Sequence, residues 1–316
     1  MASGAPAGIA TRGRRREAQG GAPHRLARGH GTPTILLACS LGVAACTTTS
    51  PLPSGPGAAA SPITVEPSPS ASADDAAFER VQFVTSDGVE LNGRLWGAGS
   101  VGVILAHGFS ELTGQDDWRD VPDFLAQRGY VALTFTFRGF CDREGCAGER
   151  DLGANWLDVV AATEYLQARD VDTIFVIGAS MGGLAVLRAA QQPEIRFAGV
   201  VSLSTPQWPS VYYSGEPEEN DLTPELLAMI EEPKLFVAGI QDVQTPEEAL
   251  IRVQSVRFAD DARAMFDVAR EPKQLELIES GAHSSELVTS AGEAAVTQTR
   301  DLIIEFIETH AAGQAP

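Results

Sequence analysis

The strongest constraint in this chain is the run Gly178-Ala179-Ser180-Met181-Gly182-Gly183. It follows an apolar stretch, Thr173-Ile174-Phe175-Val176-Ile177, and precedes a helix-like stretch over residues 184–190. A Gly-x-Ser-x-Gly core between a strand and a helix fits a turn so sharp that the serine backbone is strained. Glycines two before and two after the serine let strand and helix pass without a Cβ collision. The serine then faces a cleft, with the N-terminal dipole of the new helix beneath it. An ordinary strand-to-helix turn with a capping serine would read the same way, so the motif needs partners elsewhere in the chain.

The surrounding pattern predicts the scaffold. Residues 80–86 and 89–96 alternate apolar with polar around Asp87-Gly88, a hairpin signal. Val101–Ala106 is continuously apolar, as in a strand covered on both faces. Further strands are read at 130–137, 172–177, 197–203, 234–239 and 273–279. Helices are read at 118–128, 154–169, 244 to about 270 in two pieces, and 292–309. Strand and helix alternating after an antiparallel start imply an α/β fold: a mostly parallel twisted sheet with helices on both faces. Such sheets bind ligands beyond the carboxyl ends of their strands. The segments to inspect therefore follow Ala106, Phe137, Ile177, Leu203, Gly239 and Glu279.

Those segments hold a chemical set. His107-Gly108-Phe109 follows Ala106, Ser180 follows Ile177, Asp242 follows Gly239, and His283 follows Glu279. Of the five histidines, His24 and His30 lie near the N-terminus and His310 lies near the end of the last helix. His107 stands directly after its strand, before a glycine, where it braces the loop. His283 alone occupies a post-strand loop after the serine. A serine hydroxyl is a weak nucleophile and needs a base held in the right tautomer by a carboxylate. His283 is expected to take the proton of Ser180, and Asp242 to accept the other ring N–H. Asp242 could instead cap a helix after Pro246, and Asp260, Asp261 and Asp267 are weaker rivals inside helical stretches. The backbone N–H groups of Met181 and Phe109 are the expected donors to a developing oxyanion.

With these residues placed, the chain from about residue 80 to 310 resembles the α/β-hydrolase superfamily. The elbow, the His-Gly pair, the order Ser…Asp…His, Asp116-Asp117-Trp118 and Arg138-Gly139-Phe140 carry the resemblance. It is most similar to small bacterial esterases and dienelactone-hydrolase-like members. The resemblance implies hydrolysis of esters, thioesters or lactones through an acyl-enzyme, with no cofactor and no metal. The same set could serve a peptidase or an acyltransferase, or stand idle in a binding module. One departure is the insert at 141–151, where relatives carry a short Gly/Ser loop; it is expected to narrow the cleft. Residues 206–233 occupy the place of a lid and are short, with one expected helix at 224–231. Trp208, Tyr212 and Tyr213 either line a substrate pocket or hold that lid down. The acidic run Glu216, Glu218, Glu219 and Asp221 reads as a solvated face.

Charge and the N-terminus bound the setting. The formal net charge is −19, and six arginines sit within residues 1–46, so the remainder is more acidic still. Such a surface argues against nucleic acid and against docking on anionic lipid by charge. Residues 1–46 combine a basic lead with a short apolar core ending in Val43-Ala44-Ala45-Cys46, the pattern of an export signal with a lipidated cysteine at Cys46. Leu36-Leu37-Ala38-Cys39 fits too, but would cut the apolar core short. Residues 47–77, rich in Pro, Ser, Thr, Ala and Gly, read as a disordered tether to a catalytic domain at 78–316. The expected setting is the outer side of the cell envelope, reached through the lipid anchor or by secretion. Cys141 and Cys146 are the only cysteines in that domain and read as a disulfide in an exported protein. So short a loop contributes only about 2 kcal/mol, so its expected use is to stiffen one loop.

Overall fold

The structure, a computed structural model, describes residues 78–110, 113–214, 221–246 and 254–312, with the side chains of 212–214 outside that description. The predicted signal at 1–46 with Cys46, and the tether at 47–77, also lie outside the described residues. The described residues begin with β1 (Glu79–Val84), β2 (Glu90–Trp96) and β3 (Val101–Ala106), followed by α1 (Val121–Ala126) and β4 (Val131–Phe135). A two-residue hairpin comes next, β5 (Cys141–Asp142) and β6 (Gly145–Cys146), then α2 (Asn155–Gln167). The elbow joins β7 (Thr173–Ala179) to α3 (Met181–Ala189), and β8 (Gly199–Leu203), α4 (Pro209–Ser214), α5 (Pro224–Leu227) and β9 (Lys234–Gly239) follow. The last part holds β10 (Val243–Gln244), β11 (Val256–Arg257), α6 (Phe258–Val268), β12 (Lys273–Ile278), α7 (Glu286–Thr289) and α8 (Glu293–Ala311).

Eight strands form one sheet in the order β1-β2-β4-β3-β7-β8-β9-β12. β1, β2 and β4 pair antiparallel, and every later pairing is parallel. The burial pattern follows from position. The central strands β4, β8 and β9 are buried at every residue, while β1 and β12 at the two edges alternate exposed with covered. Side chains alternate across the sheet, so Ile104 and Ala106 join one core while Val103 and Leu105 join the other. The first core lies under α2, α3 and α6, with Val159, Val186 and Met265. The second lies under α1 and α8, with Leu125, Ile303 and Phe306. The predicted fold class stands: a mostly parallel mixed sheet with an antiparallel start and helices around it.

The structure corrects some local expectations. The helix expected from residue 118 begins at Val121, because Arg119 has φ 47° and breaks the preceding 3-10 turn Gly114–Trp118. Pro122 in the first turn of α1 suits that later start. Of the two-piece helix expected from 244 to about 270, the second piece stands as α6 (Phe258–Val268), while the start and the residues just before α6 are strand. Val243 and Gln244 pair antiparallel with Arg257 and Val256, and the helix begins only at Phe258; residues 247–253 lie outside the described residues. A two-residue ladder is too short to leave a period in the sequence. The lid helix is one turn, Pro224–Leu227, capped by the Thr223 hydroxyl, which accepts the Leu226 N–H at 3.4 Å.

A charge cluster around a buried arginine pins one corner of the sheet. Arg138, 2% exposed, follows β4. Its Nε donates to Asp158 Oδ1 at 2.7 Å and its backbone N–H to Asp158 Oδ2 at 2.9 Å, while Nη1 and Nη2 donate to Asp87 at 2.6 and 3.0 Å. The guanidinium holds the Asp87 carboxyl down to about 2. Asp158 on α2 is fully buried. Asp158→Ala removes the buried partner and leaves the guanidinium only the exposed Asp87, and should lower the unfolding free energy by up to about 3–5 kcal/mol, as measured by urea unfolding. A loss below about 1 kcal/mol would show that the pair is incidental to the fold.

Candidate active site

The elbow at Ser180 forms because four chain segments meet there with almost no side-chain volume. Ser180 takes φ 51° and ψ −111°, a left-handed conformation that serine adopts only when its surroundings force it. A Cβ on Gly182 would collide with the carbonyl oxygens of Ala106 and His107, and one on Gly178 would collide with the Gly182 backbone. The start of α3 thus rests directly on the end of β3. The Ser180 N–H donates to Leu203 O at 2.8 Å, and Ser180 O accepts from Gly183 and Leu184 at 2.9 and 3.2 Å. The strained residue is therefore held from both sides, and its side chain remains partly exposed.

His107, Gly108 and Phe109 cross the end of β3 beside this turn. His107 is fully buried, with its ring against Phe137 and Phe140. Its Nε2 accepts the Phe137 N–H at 3.0 Å, and Nδ1 donates to Gly108 O at 2.6 Å. One acceptor and one donor fix the neutral tautomer, and burial pushes the imidazole down to about 4. His107 is a brace with both nitrogens in use, as its place directly after the strand suggests. Its donated bond polarises the peptide whose N–H belongs to Phe109. Among the described residues, neither the Phe109 N–H nor the Met181 N–H has a protein acceptor.

Asp242 and His283 come from loops after β9 and β12, which are neighbouring parallel strands, so the two loops share an edge. Asp242 is 2% exposed, and its Oδ1 and Oδ2 lie 3.2 and 2.9 Å from His283 Nδ1. That leaves Nε2 of His283 as the outward nitrogen. Two rival acids are occupied elsewhere, since Asp260 pairs with Arg263 at 3.0 Å and Asp261 accepts the Gln207 N–H at 2.9 Å, and the third, Asp267, is exposed on α6. Gly108 marks where the segments converge. The point where a Cβ on Gly108 would sit is 3.1 Å from Ser284 Oγ, 3.5 Å from Ala179 O and 3.7 Å from Ser180 Cβ. The serine turn, the histidine loop and the His-Gly loop therefore share one rim. No hydrogen bond runs from Ser180 Oγ to the His283 ring, and such contacts are commonly loose until substrate is seated.

Sequence reasoning missed several supports. Phe258, fully buried at the start of α6, packs its ring at a tilt against the His283 ring, centroids 4.3 Å apart, and donates its N–H to Asp242 O at 3.2 Å. One residue thus steadies both members of the pair. Nothing local announces it, because the unexpected β10–β11 ladder is what delivers it. Glu286 accepts the His283 N–H at 3.0 Å, and its position three residues on is a readable capping spacing.

The insert after β4 is built as a brace. Cys141 and Cys146 form a disulfide across the β5–β6 pair. Asp142 within it accepts from Thr136 Oγ1 and Gln115 Nε2 at 2.5 and 2.6 Å, and Glu144 accepts from the buried Arg94 at 2.8 Å. Phe140, at the hairpin's base, packs edge-on against Phe109 at 5.2 Å, and Arg150 lies over both rings. The hairpin therefore presses on the His-Gly loop. Trp208 is partly buried before α4, whereas the side chains of Tyr212 and Tyr213 lie outside the described residues. A small apolar cavity between α1 and α8, lined by Trp118, Val121, Phe124, Ile177, Val288 and Ile303, includes neither Trp208 nor Ser180. Among the described residues no cluster of His, Cys, Asp and Glu could hold a metal ion, and no helix is long and apolar enough to cross a membrane.

The His107 brace has a pH signature. The unfolded imidazole titrates near 6.5 and the folded one near 4, so the unfolded state gains the proton first. Its contribution is complete above pH 6.5 and is lost as pH falls towards 4, by about 3 kcal/mol in all. Unfolding free energies at pH 7 and pH 4.5 should differ by less in His107→Gln than in wild type. Equal differences in both proteins would contradict the buried neutral imidazole.

The profile of the alpha/beta hydrolase family matches residues 103–302. No curated protein is a significant relative. Among solved structures, the Pyrococcus furiosus esterase Pf2001 is similar at TM-score 0.56 and 20% identity, over 76% of this chain and 96% of that one. The esterase domain of a Rhodothermus marinus protein is similar at TM-score 0.52 and 21% identity, over 73% of this chain and 98% of that one. The alpha/beta hydrolase GrgF from a Penicillium species is similar at TM-score 0.56 and 17% identity, over 74% and 99%. At these identities the structures share the fold, and the family profile spans most of the described sheet and both loops that carry Asp242 and His283. The chain belongs to the alpha/beta hydrolase family.

Proposed function

We propose that this protein is a serine hydrolase that cleaves carboxylic esters, thioesters or lactones through an acyl-enzyme. The observation that carries the reading is the buried Asp242 bonded to His283 Nδ1 at 2.9 Å, on the same rim as the strained turn at Ser180. Esterases among the fold's neighbours support the ester class.

In this reading His283 Nε2 takes the proton of Ser180 as Oγ attacks the substrate carbonyl carbon. The carbonyl oxygen becomes an oxyanion, received by the N–H groups of Phe109 and Met181. Losing one such donor typically raises the barrier by about 2.7–4 kcal/mol. The tetrahedral intermediate collapses when the C–O bond to the leaving alcohol breaks and the imidazolium returns its proton to that oxygen. Water then repeats the sequence on the acyl-enzyme, giving up its proton to His283 and restoring Ser180. Asp242 holds the ring in the productive tautomer and stabilises the imidazolium throughout. The small lid suits small or soluble esters better than a large interfacial substrate.

Hydrolysis of short p-nitrophenyl esters, beside matching peptide amides, tests the class. Ester turnover with amides inert is expected. Ser180→Ala should lower kcat by several orders of magnitude at unchanged melting temperature, and Asp242→Asn should be nearly as severe. A Ser180→Ala protein that keeps wild-type turnover would overturn the nucleophile assignment. A silent Asp242→Asn would mean another acid holds the histidine.

The N-terminal pattern supports a location beyond the cytoplasm. In this reading residues 1–46 direct export, Cys46 carries lipid, and 47–77 tether the domain at the outer face of the membrane. Cys46→Ala should move the protein from the membrane fraction to the soluble fraction of an expressing bacterium. Unchanged fractionation would remove the anchor from the account.

A further inference from the structure

Three serines with left-handed backbone sit at the strand-end rim: Ser180 at φ 51°, Ser204 at φ 46° and Ser284 at φ 64°. The first is the elbow. The third follows His283 directly and has no place yet in the chemistry. Ser284 is 6% exposed, and its Oγ is buried with no hydrogen-bond partner among the described residues. Its backbone is engaged, since Ser284 O accepts the Leu287 N–H at 3.2 Å. Its hydroxyl instead faces Gly108, 3.1 Å from where a Cβ there would sit, a point shared with Ser180 Cβ at 3.7 Å.

Serine carries two separate penalties here. The left-handed φ is unfavourable for a residue with a Cβ, and glycine would remove that strain. A desolvated hydroxyl without a partner is unfavourable as well, and alanine would remove it. Folding alone therefore favours a residue without this side chain. Strained residues and buried unpaired polar groups both gather where a protein handles a ligand.

We propose that Ser284 is a positioning residue for ester hydrolysis: its buried hydroxyl ties the His283 loop to the Gly108 main chain in the tetrahedral intermediate. This rests on the reading of Ser180 as nucleophile and His283 as base. The hydroxyl lies beside the Gly108 backbone and acts through it. As negative charge develops on the carbonyl oxygen that the Phe109 N–H receives, the loop is drawn in and the Ser284 hydroxyl gains its partner on the Gly108 backbone. Imidazole and oxyanion donors then hold their spacing together. The interaction belongs to the transition state, so it acts on kcat and not on substrate binding.

The experiment compares wild type with Ser284→Gly and Ser284→Ala in three readouts. These are the melting temperature, kcat and KM on p-nitrophenyl acetate, and the affinity of a methylboronic acid that forms a tetrahedral adduct on serine. The expected result is a melting temperature at or above wild type for Ser284→Gly, with kcat down about tenfold in both variants. KM should stay within about twofold, and boronate affinity should fall about tenfold. Two results overturn the proposal. In one, both variants keep wild-type kcat and boronate affinity. In the other, kcat falls only in step with the melting temperature, which marks a purely structural residue. A wild-type protein with no esterase activity would bring down the underlying serine-hydrolase reading together with this one; an active wild type with unaffected variants brings down this one alone.

Discussion

The close packing of α3 against the end of β3 is the contact on which the rest depends. Gly182 lies so near the Ala106 and His107 carbonyls that no side chain fits between them. That approach forces the chain to reverse within a single residue, and Ser180 absorbs the strain at φ 51°. The same approach leaves the Met181 N–H at the head of a helix, beside the loop that carries Phe109. The strained serine and the unpaired N–H beside it thus arise from one packing event. The sheet supplies its rigidity, since β3 pairs in parallel with β7 along its whole length and both are almost wholly buried.

The second layer of the design keeps loops from drifting. Hydrogen bonds run from the Phe137 N–H to His107 Nε2, then from Nδ1 to Gly108 O, so β4's end and β3's end are fastened through one neutral imidazole. The disulfide hairpin adds pressure from outside through Phe140. Across the rim, Phe258 does the corresponding work for Asp242 and His283. Loops that carry reacting groups are commonly mobile. Here the His-Gly loop is tied to the buried His107 ring and the Asp242 and His283 loops to the buried Phe258 ring, the rigidity that the proposed chemistry would call for.

Much of this was legible in the sequence, for identifiable reasons. Parallel strands buried on both faces leave continuous apolar runs, so Val101–Ala106 and Lys234–Gly239 could be read to the residue. The placement of Ser180, Asp242 and His283 at one rim was readable because parallel sheets of this kind bring their strand-end loops together, and only a few polar groups stand there. The failures share a cause. The β10–β11 ladder is two residues on each side, and its stability comes from Val256, which is fully buried in the tertiary core. Phe258 and Ser284 gain their meaning only from neighbours distant in sequence. Arg119 breaks the helix expected from 118 by a backbone angle that its residue type does not announce. Pattern reports periodicity and local caps; it does not report what a side chain meets across the core.

The most direct measurement is the intact mass of the protein after treatment with a fluorophosphonate, followed by mapping of the modified peptide. The account predicts one adduct per chain, carried by Ser180 and lost when His283 is replaced by alanine. An unmodified protein, or an adduct mapped to any other residue, would contradict it.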